Sequence, residues 1–240
     1  MSRMAQAVIM LLLGGAVVKA TVTDTFLRYV KEGLRPYLLI AGVLLIVAAV
    51  MTMWYELRAA PPAGEPHDDG HGQGHGHHEP TVGWLLLLPV LGLLLVSPPA
   101  LGSFAAGQTG SVGPAAASDY PPLAAGDPIE VNLLDYASRA IFDSGRSLAG
   151  RTIKLTGFIT PGPDGRPMIA RIVLTCCAAD GRPIKVGLTG VAIDAPPDAW
   201  VQVVGVYSSQ VGTDPVNRAP VAYLEVKTWQ EIDQPKQPYT

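Results

Sequence analysis

At 240 residues the chain has room for one or two domains and excludes a large multidomain enzyme. Hydrophobic residues make up 48% and charged ones only 15%, against the roughly 25% charged share of soluble domains, so part of the chain belongs in lipid. Lys and Arg number 17 against 20 Asp and Glu, a net charge of −3, which removes the positive excess needed to neutralise a nucleic-acid backbone.

Residues 4–18 (MAQAVIMLLLGGAVV) carry no charge, and Arg3 and Lys19 at the ends can snorkel and lengthen their reach, which predicts a membrane helix over about 4–20. A cleaved secretory signal is the rival, because it too opens with a basic residue and a short apolar core. Lys19 stands against it, in the Val18-Lys19-Ala20 window where cleavage wants small residues. Residues 37–55 (YLLIAGVLLIVAAVMTMWY) are uncharged over a length that matches a ~30 Å hydrocarbon core and end in an aromatic pair, which predicts a second helix. Residues 82–104 predict a third, kinked at Pro89 and fraying near Pro98-Pro99.

Lys19, Arg28, Lys31 and Arg35 flank or fill the first connector, while the N-terminus and the next loop offer only Arg3 and Arg58. With three spans this bias puts the first connector and the C-terminal domain in the cytoplasm and the 56–81 loop outside, in an integral, multi-pass protein of the cell membrane. If the first segment were a cleaved signal, two spans would leave the C-terminal domain outside.

All five histidines of the chain lie in PHDDGHGQGHGHHE, as His67, His71, His75, His77 and His78, with Asp68 and Asp69 among them. Imidazoles and carboxylates spaced by glycine suit Zn²⁺ or another divalent transition metal. Ordering such a backbone costs on the order of 1–2 kcal/mol per residue fixed, so weak, exchangeable binding fits better than catalysis. The plain alternative is a polar spacer between two spans.

Residues 105–127 are rich in Ala, Gly, Ser and Pro and read as a flexible linker. Residues 128–235 change to short β-type runs. Leu133, Leu134, Ala137, Ala140 and Ile141 recur at helical spacing after Asn132, a candidate cap, and predict one amphipathic helix over 133–143. Strands are expected at 152–160, 168–175, 184–188, 200–207 and 222–232, the first two joined as a hairpin through Pro-Gly-Pro-Asp-Gly. Gly157 and Gly205, inside apolar strands, suit a bulge or a bend. The fold class is therefore a membrane α region of three helices (1–104) followed by a small mainly-β domain, an OB-like barrel with one helix, and a tail over 236–240.

Cys176-Cys177 follow an expected strand and precede a turn that contains Asp180. Neighbouring side chains in an extended segment point to opposite faces, so both thiols reach one ion only if the backbone bends there. A soft-metal site with Asp180, a strained vicinal disulfide, and one buried apolar cysteine beside a chance neighbour all remain open. The domain has no histidine, so a tetrahedral site needs a carboxylate such as Asp135 or Asp180, or a partner protein, to complete it. The absence of a histidine base, of G-x-x-x-x-G-K-[ST], of H-E-x-x-H and of G-x-S-x-G argues against an enzyme. Asp135, Asp143, Asp164, Asp180 and Asp194 could in principle pair as a carboxylate site but, lying in Pro/Gly turns, read as turn formers, and Arg139, Arg146, Arg151 and Arg171 read as solvated surface.

The tract LRYVKEGLRPYLLIAG at 27–42, the histidine-rich loop, DYASRAIFD, LTGFI and ARIVLTCCAADGRPIKVGL together resemble the YcgQ-like permease-subunit family of bacterial membrane proteins, over nearly the whole chain. The resemblance implies a C-terminal domain of unknown function, a larger multi-span permease as partner and a link to zinc limitation. Its matching positions are Asp135, Tyr136, Cys176, Cys177 and Asp180; the histidine loop matches in kind and lacks any cysteine. The function expected is an accessory, non-enzymatic permease subunit that handles a divalent metal through the loop and the cysteine pair. The alternatives are a membrane-anchored OB-like binding or scaffold module with no metal role, and a thiol redox protein.

Overall fold

The computed structural model describes residues 3–58, 92, 99–113, 120–163 and 165–240, and divides into two compact units. The first contains Met1–Phe26 and Glu32–Pro99; the second contains Leu27–Lys31 and Ala100–Thr240.

In the first unit, α1 (Arg3–Val22) and α2 (Arg35–Arg58) pack along a seam of small residues. Ala7, Gly14 and Thr21 are buried seven residues apart on α1, and Gly42 and Ala49 at the same interval on α2. The approach is close enough that a Cβ on Gly42 would stand 2.7 Å from Cγ2 of Val18, and one on Gly14 would stand 2.9 Å from the carbonyl oxygen of Gly42. Large side chains such as Tyr37, Ile40, Leu44, Val47 and Met51 are exposed on the other faces. Both helices are long and apolar enough to cross a membrane. They run a turn or less beyond the expected 4–20 and 37–55, and Arg58 ends α2 with its guanidinium 4.1 Å from the Trp54 ring centre.

The expected loop and third span lie almost wholly outside the described residues. Where described, residues 56–58 continue α2, residues 99–102 are not helical, and α3 (Ser103–Gln108) starts anew after Gly102. At the end of the expected span, residues 99–102 are thus not helical, beside the Pro98-Pro99 pair where fraying is expected.

The second unit is an OB-like barrel. β1 (Ile129–Glu130) leads into α4 (Leu133–Phe142), β2 (Ile153–Pro161), β3 (Pro167–Val173), β4 (Arg182–Gly190), β5 (Trp200–Thr213) and β6 (Pro220–Ile232). The strand order is β1-β2-β3-β4-β6-β5, and β5 closes the barrel by pairing antiparallel with β2 from Ile153↔Gly205 to Phe158↔Trp200. β4 and β6 are parallel, as are β1 and β2; the other pairs are antiparallel. The five strands expected from alternation are present, with β5 and β6 forming a longer hairpin than expected. The register shifts at Val204/Gly205, where a Cβ on Gly205 would lie 2.3 Å from the Glu225 carbonyl oxygen. Gly157 instead permits a close approach to Ala170 within a regular ladder.

The expected helix forms with its cap: the Asn132 side chain accepts from the Asp135 backbone N–H at 2.7 Å. Leu133, Tyr136, Ala137 and Ala140 plug the barrel interior among Ile153, Leu155, Val186, Val203 and Leu224. A second apolar layer lies outside the barrel wall, where Phe158, Ala170, Ile172 and Trp200 are covered by Ala106 of α3, Leu101 and Tyr239.

That cover corrects the flexible-linker reading of 105–127 for residues 105–112; residues 114–119 lie outside the described residues. Residues 101–112 form a strap: Asp198 accepts hydrogen bonds from Ser103, Asp214 accepts from the Ser111 hydroxyl at 2.7 Å, and Val112 donates to the Pro183 carbonyl at 2.7 Å. The tail over 236–240 is also paired, through Thr240 N–H to the Ile172 carbonyl and Leu174 N–H to the Thr240 carbonyl.

Candidate metal centre

Leu174, just past the end of β3, is buried, and β4 resumes at Arg182, so the chain must reverse within a few residues. It does so through a short 3₁₀ turn, Ala178–Asp180, entered from the extended Cys177. The Asp180 carboxylate reaches back over the turn and accepts from the backbone N–H groups of Thr175 at 2.8 Å, Cys176 at 2.8 Å and Cys177 at 3.2 Å. The Cys176 thiol hydrogen-bonds to the same carboxylate. These donors hold Asp180 well below the usual carboxylate range, the Cys176 contact contributing most.

The turn supplies the bend that an extended strand lacks. Cys176 is exposed, Cys177 is half-buried, both are free thiols, and their sulfurs and an Asp180 oxygen all lie within 4.8 Å of one another. Two thiols and a carboxylate offer an S₂O donor set suited to a thiophilic ion, one donor short of a tetrahedral shell. The hydrogen bond to Asp180, helped by one to Cys177, pushes the Cys176 thiol up to about 11. Cys176 is therefore protonated at neutral pH, unlike the low-pKa nucleophile of a thiol redox centre, and an ion must displace its proton.

The outer edge of this turn is paired. Val30 bridges Cys177 in antiparallel fashion: Lys31 N–H donates to the Cys176 carbonyl at 3.1 Å, and Ala178 N–H donates to the Tyr29 carbonyl at 2.7 Å. The Lys31 ammonium also reaches the Leu174 carbonyl at 3.5 Å. The Tyr239 hydroxyl ties the neighbouring segments, donating to the Arg28 carbonyl at 2.8 Å and accepting from Leu101 N–H at 2.9 Å.

Of the other expected site residues, Asp135 is not part of the cluster. It pairs with Arg139 at 3.0 Å, which leaves Asp180 as the carboxylate beside the thiols. Tyr136 is wholly buried, its hydroxyl donates to the Tyr223 carbonyl at 2.6 Å, and desolvation pushes its pKa up, so it is a core residue. His67, Asp68, Asp69, His71, His75, His77 and His78 lie outside the described residues.

Two features escaped the sequence reading. Arg139 is only 3% exposed, covered by Asp135 and by the Tyr120 ring at 5.3 Å, which corrects its assignment to solvated surface; Arg171 likewise lies near Trp200. Lys185 and Asp214 form a buried ion pair at 2.9 Å, with Lys185 also donating to the Thr109 carbonyl. Both residues line a cavity of about 130 Å³ between the β2–β3 and β5–β6 turns, walled by Met168, Val221 and Tyr223. No short motif announces that pair, because Lys185 sits on β4, Asp214 in the β5–β6 turn, and the Ser111 that helps hold it in the strap.

A family model described as the DUF1980 C-terminal domain matches residues 119–240, half of the chain, and spans the whole barrel and the Cys176–Asp180 turn. No curated protein and no solved structure matches the sequence.

Proposed function

We propose that this chain, which belongs to the DUF1980 family, is a membrane-anchored accessory subunit of a larger multi-span permease, as the YcgQ-like resemblance implies, and that it handles a thiophilic divalent metal such as Zn²⁺. The observation that carries the reading is the gathering of Cys176, Cys177 and Asp180 at one exposed turn. The histidine-rich loop collects the ion weakly, and the turn holds it with an open coordination position from which it can be passed on. The chain performs no chemistry on the ion.

A cytoplasmic barrel is part of this reading, and the connector supports it. Leu27–Lys31 lies between α1 and α2 in the chain yet belongs to the same unit as the barrel. This supports a barrel on the side where that connector emerges, and the positive charge of Lys19, Arg28, Lys31 and Arg35 favours the cytoplasm for it. That reading requires an odd number of crossings between Arg58 and Pro99, and the span expected at 82–104 would supply one.

The test is Zn²⁺ bound per chain in the purified, detergent-solubilised protein at neutral pH. Cys176→Ser with Cys177→Ser is expected to remove the tightest site, and replacing the five histidines with Ser to remove the weak ones. Unchanged binding in both variants refutes the reading. A second reading, a binding module with no metal role, is favoured by the 130 Å³ cavity, which lies where OB barrels take ligands, between two turns over the β3 and β4 face.

A further inference from the structure

The cavity of about 130 Å³ lies wholly within the second unit, and the metal reading makes no use of it. Its origin is in the strand register. Side chains alternate along a strand, and Ile169, Ile184, Val186, Ala222 and Leu224 fill the barrel core, so Met168, Lys185, Val221 and Tyr223 stand on the outer side of the wall. The β4–β6 ladder begins only at Gly187↔Tyr223, beyond Lys185. Ahead of it the strap takes over, with Val112 N–H donating to the Pro183 carbonyl, and Gly107 of the strap lines the space left beside it.

The polar chemistry of that wall is lopsided. Asp214 is saturated: it accepts from the Ser111 N–H and hydroxyl, from Lys185 and from the Val216 N–H. Lys185 is 6% exposed, and its ammonium has three donors, of which Asp214 at 2.9 Å and the Thr109 carbonyl at 3.1 Å take two among the described residues. The third is the donor a ligand can use. The acceptor that the strap already offers to the same ammonium is an uncharged peptide carbonyl. An anion would meet the Asp214 carboxylate as well as Lys185, and would give up its hydration for no net attraction. Met168, Val221 and Tyr223 supply apolar wall, and the volume is close to the ~150 Å³ of an apolar cavity that admits benzene.

We propose that this cavity binds a small uncharged molecule that joins a carbonyl oxygen, for Lys185, to an apolar group about the size of a benzene ring, as in an aryl amide. The proposal rests on the cavity that favours the second reading above and takes nothing from Cys176, Cys177 or Asp180, so loss of metal binding leaves it untouched. The exposed Gly107 and Thr213 line the same space, where the N–H groups of an amide can meet water.

The experiment uses the full chain in detergent micelles, with ¹³C at the methionine methyls. Met168 lines the cavity and is the only methionine after residue 53, so its methyl reports the site while the five earlier ones report probe dissolved in the micelle. The probes share one ring: benzamide, toluene and benzoate, compared at neutral pH and equal free aqueous concentration. Benzamide is expected to shift the Met168 methyl saturably and to bind about tenfold tighter than toluene, the size of one hydrogen bond to a charged donor, with benzoate the weakest. Val221→Phe, which puts a ring into the space, is expected to remove the Met168 shift for every probe, and the amide spectrum of the barrel strands verifies that this variant folds; should it not fold, the wild-type ranking still decides. Toluene binding as tightly as benzamide overturns the role of Lys185 and leaves a merely apolar binding cavity, and benzoate binding tightest overturns the preference for an uncharged ligand. A Met168 shift that persists in the folded Val221→Phe chain overturns the placement. No saturable shift with any probe overturns the proposal and the binding-module reading together.

Discussion

Replacing Asp180 with Asn tests whether the carboxylate governs the chemistry of Cys176. The structure raises that thiol from 9.0 to about 11, and the hydrogen bond to Asp180 is the largest cause. Asn keeps the shape but removes the charge that holds the proton on sulfur. A full return to 9.0 would raise the thiolate fraction at pH 8 about 100-fold, two units being two powers of ten. A thiolate of lower pKa is a poorer nucleophile, with a Brønsted slope of about 0.4–0.5, which takes back roughly 6- to 10-fold. The net expectation is therefore alkylation of Cys176 about tenfold faster, and less where the Cys177 hydrogen bond and burial retain part of the shift. The assay is iodoacetamide modification of the full chain across pH 7–10, resolved by tandem mass spectrometry so that Cys176 and Cys177 are scored separately. Cys176 is already exposed, so a loosened turn would not by itself accelerate it. An unchanged or slower rate at Cys176, or an equal acceleration at Cys177, refutes the reasoning.

Asp214→Asn leaves the Lys185 ammonium buried with the Thr109 carbonyl as its remaining partner in the pair's network and is expected to cost about 3–5 kcal/mol in denaturant unfolding; a loss well under that range means the pair is not a tie between strap and barrel. Asp214 is held down at about 2 by hydrogen bonds from Ser111, Lys185 and Val216 against the burial that opposes them. Its contribution, about 2 kcal/mol, is complete above pH ~4 and is lost as pH falls through ~2, so the wild-type chain should lose more stability over that window than Asp214→Asn. A membrane-impermeant maleimide should modify Cys176 in inside-out vesicles and not in right-side-out ones, and the opposite result places the barrel outside. Gly42→Leu, whose side chain would meet Val18 and the Gly14 backbone, should separate α1 from α2, read as a longer spin-label distance across the hairpin.

The barrel was legible because its strands and helix obey local rules. Period-two apolar runs bounded by Gly, Pro and Asp gave β2 to β6, and Asn132 before an i, i+3, i+4 pattern gave α4 with its cap. The strap was not legible. Ala/Gly/Ser composition describes a free chain, whereas Ser103 and Ser111 are fixed by aspartates 95 and 103 residues away, and nothing local encodes such a partner. Arg139 was misplaced for the same kind of reason: it has the i, i+4 acid of a surface pair, but Tyr120 covers it from another segment. At the candidate metal centre, the residue types and the need for a bend were readable from Cys176, Cys177 and Asp180. The antiparallel pairing with Val30 was not, since it joins stretches far apart in the chain.

The strap also has a consequence for anyone cutting this protein into pieces. A fragment excised at the family boundary, residue 119, would discard Leu101, Ala106 and Ser111 together with the connector strand. The aromatic pair Phe158 and Trp200 would lose part of its roof, and the Lys185 and Asp214 charges would meet solvent on the side that Thr109 and Ser111 now close. Such a fragment should be sticky and short-lived in solution, whereas one that begins before Leu101 retains its own lid.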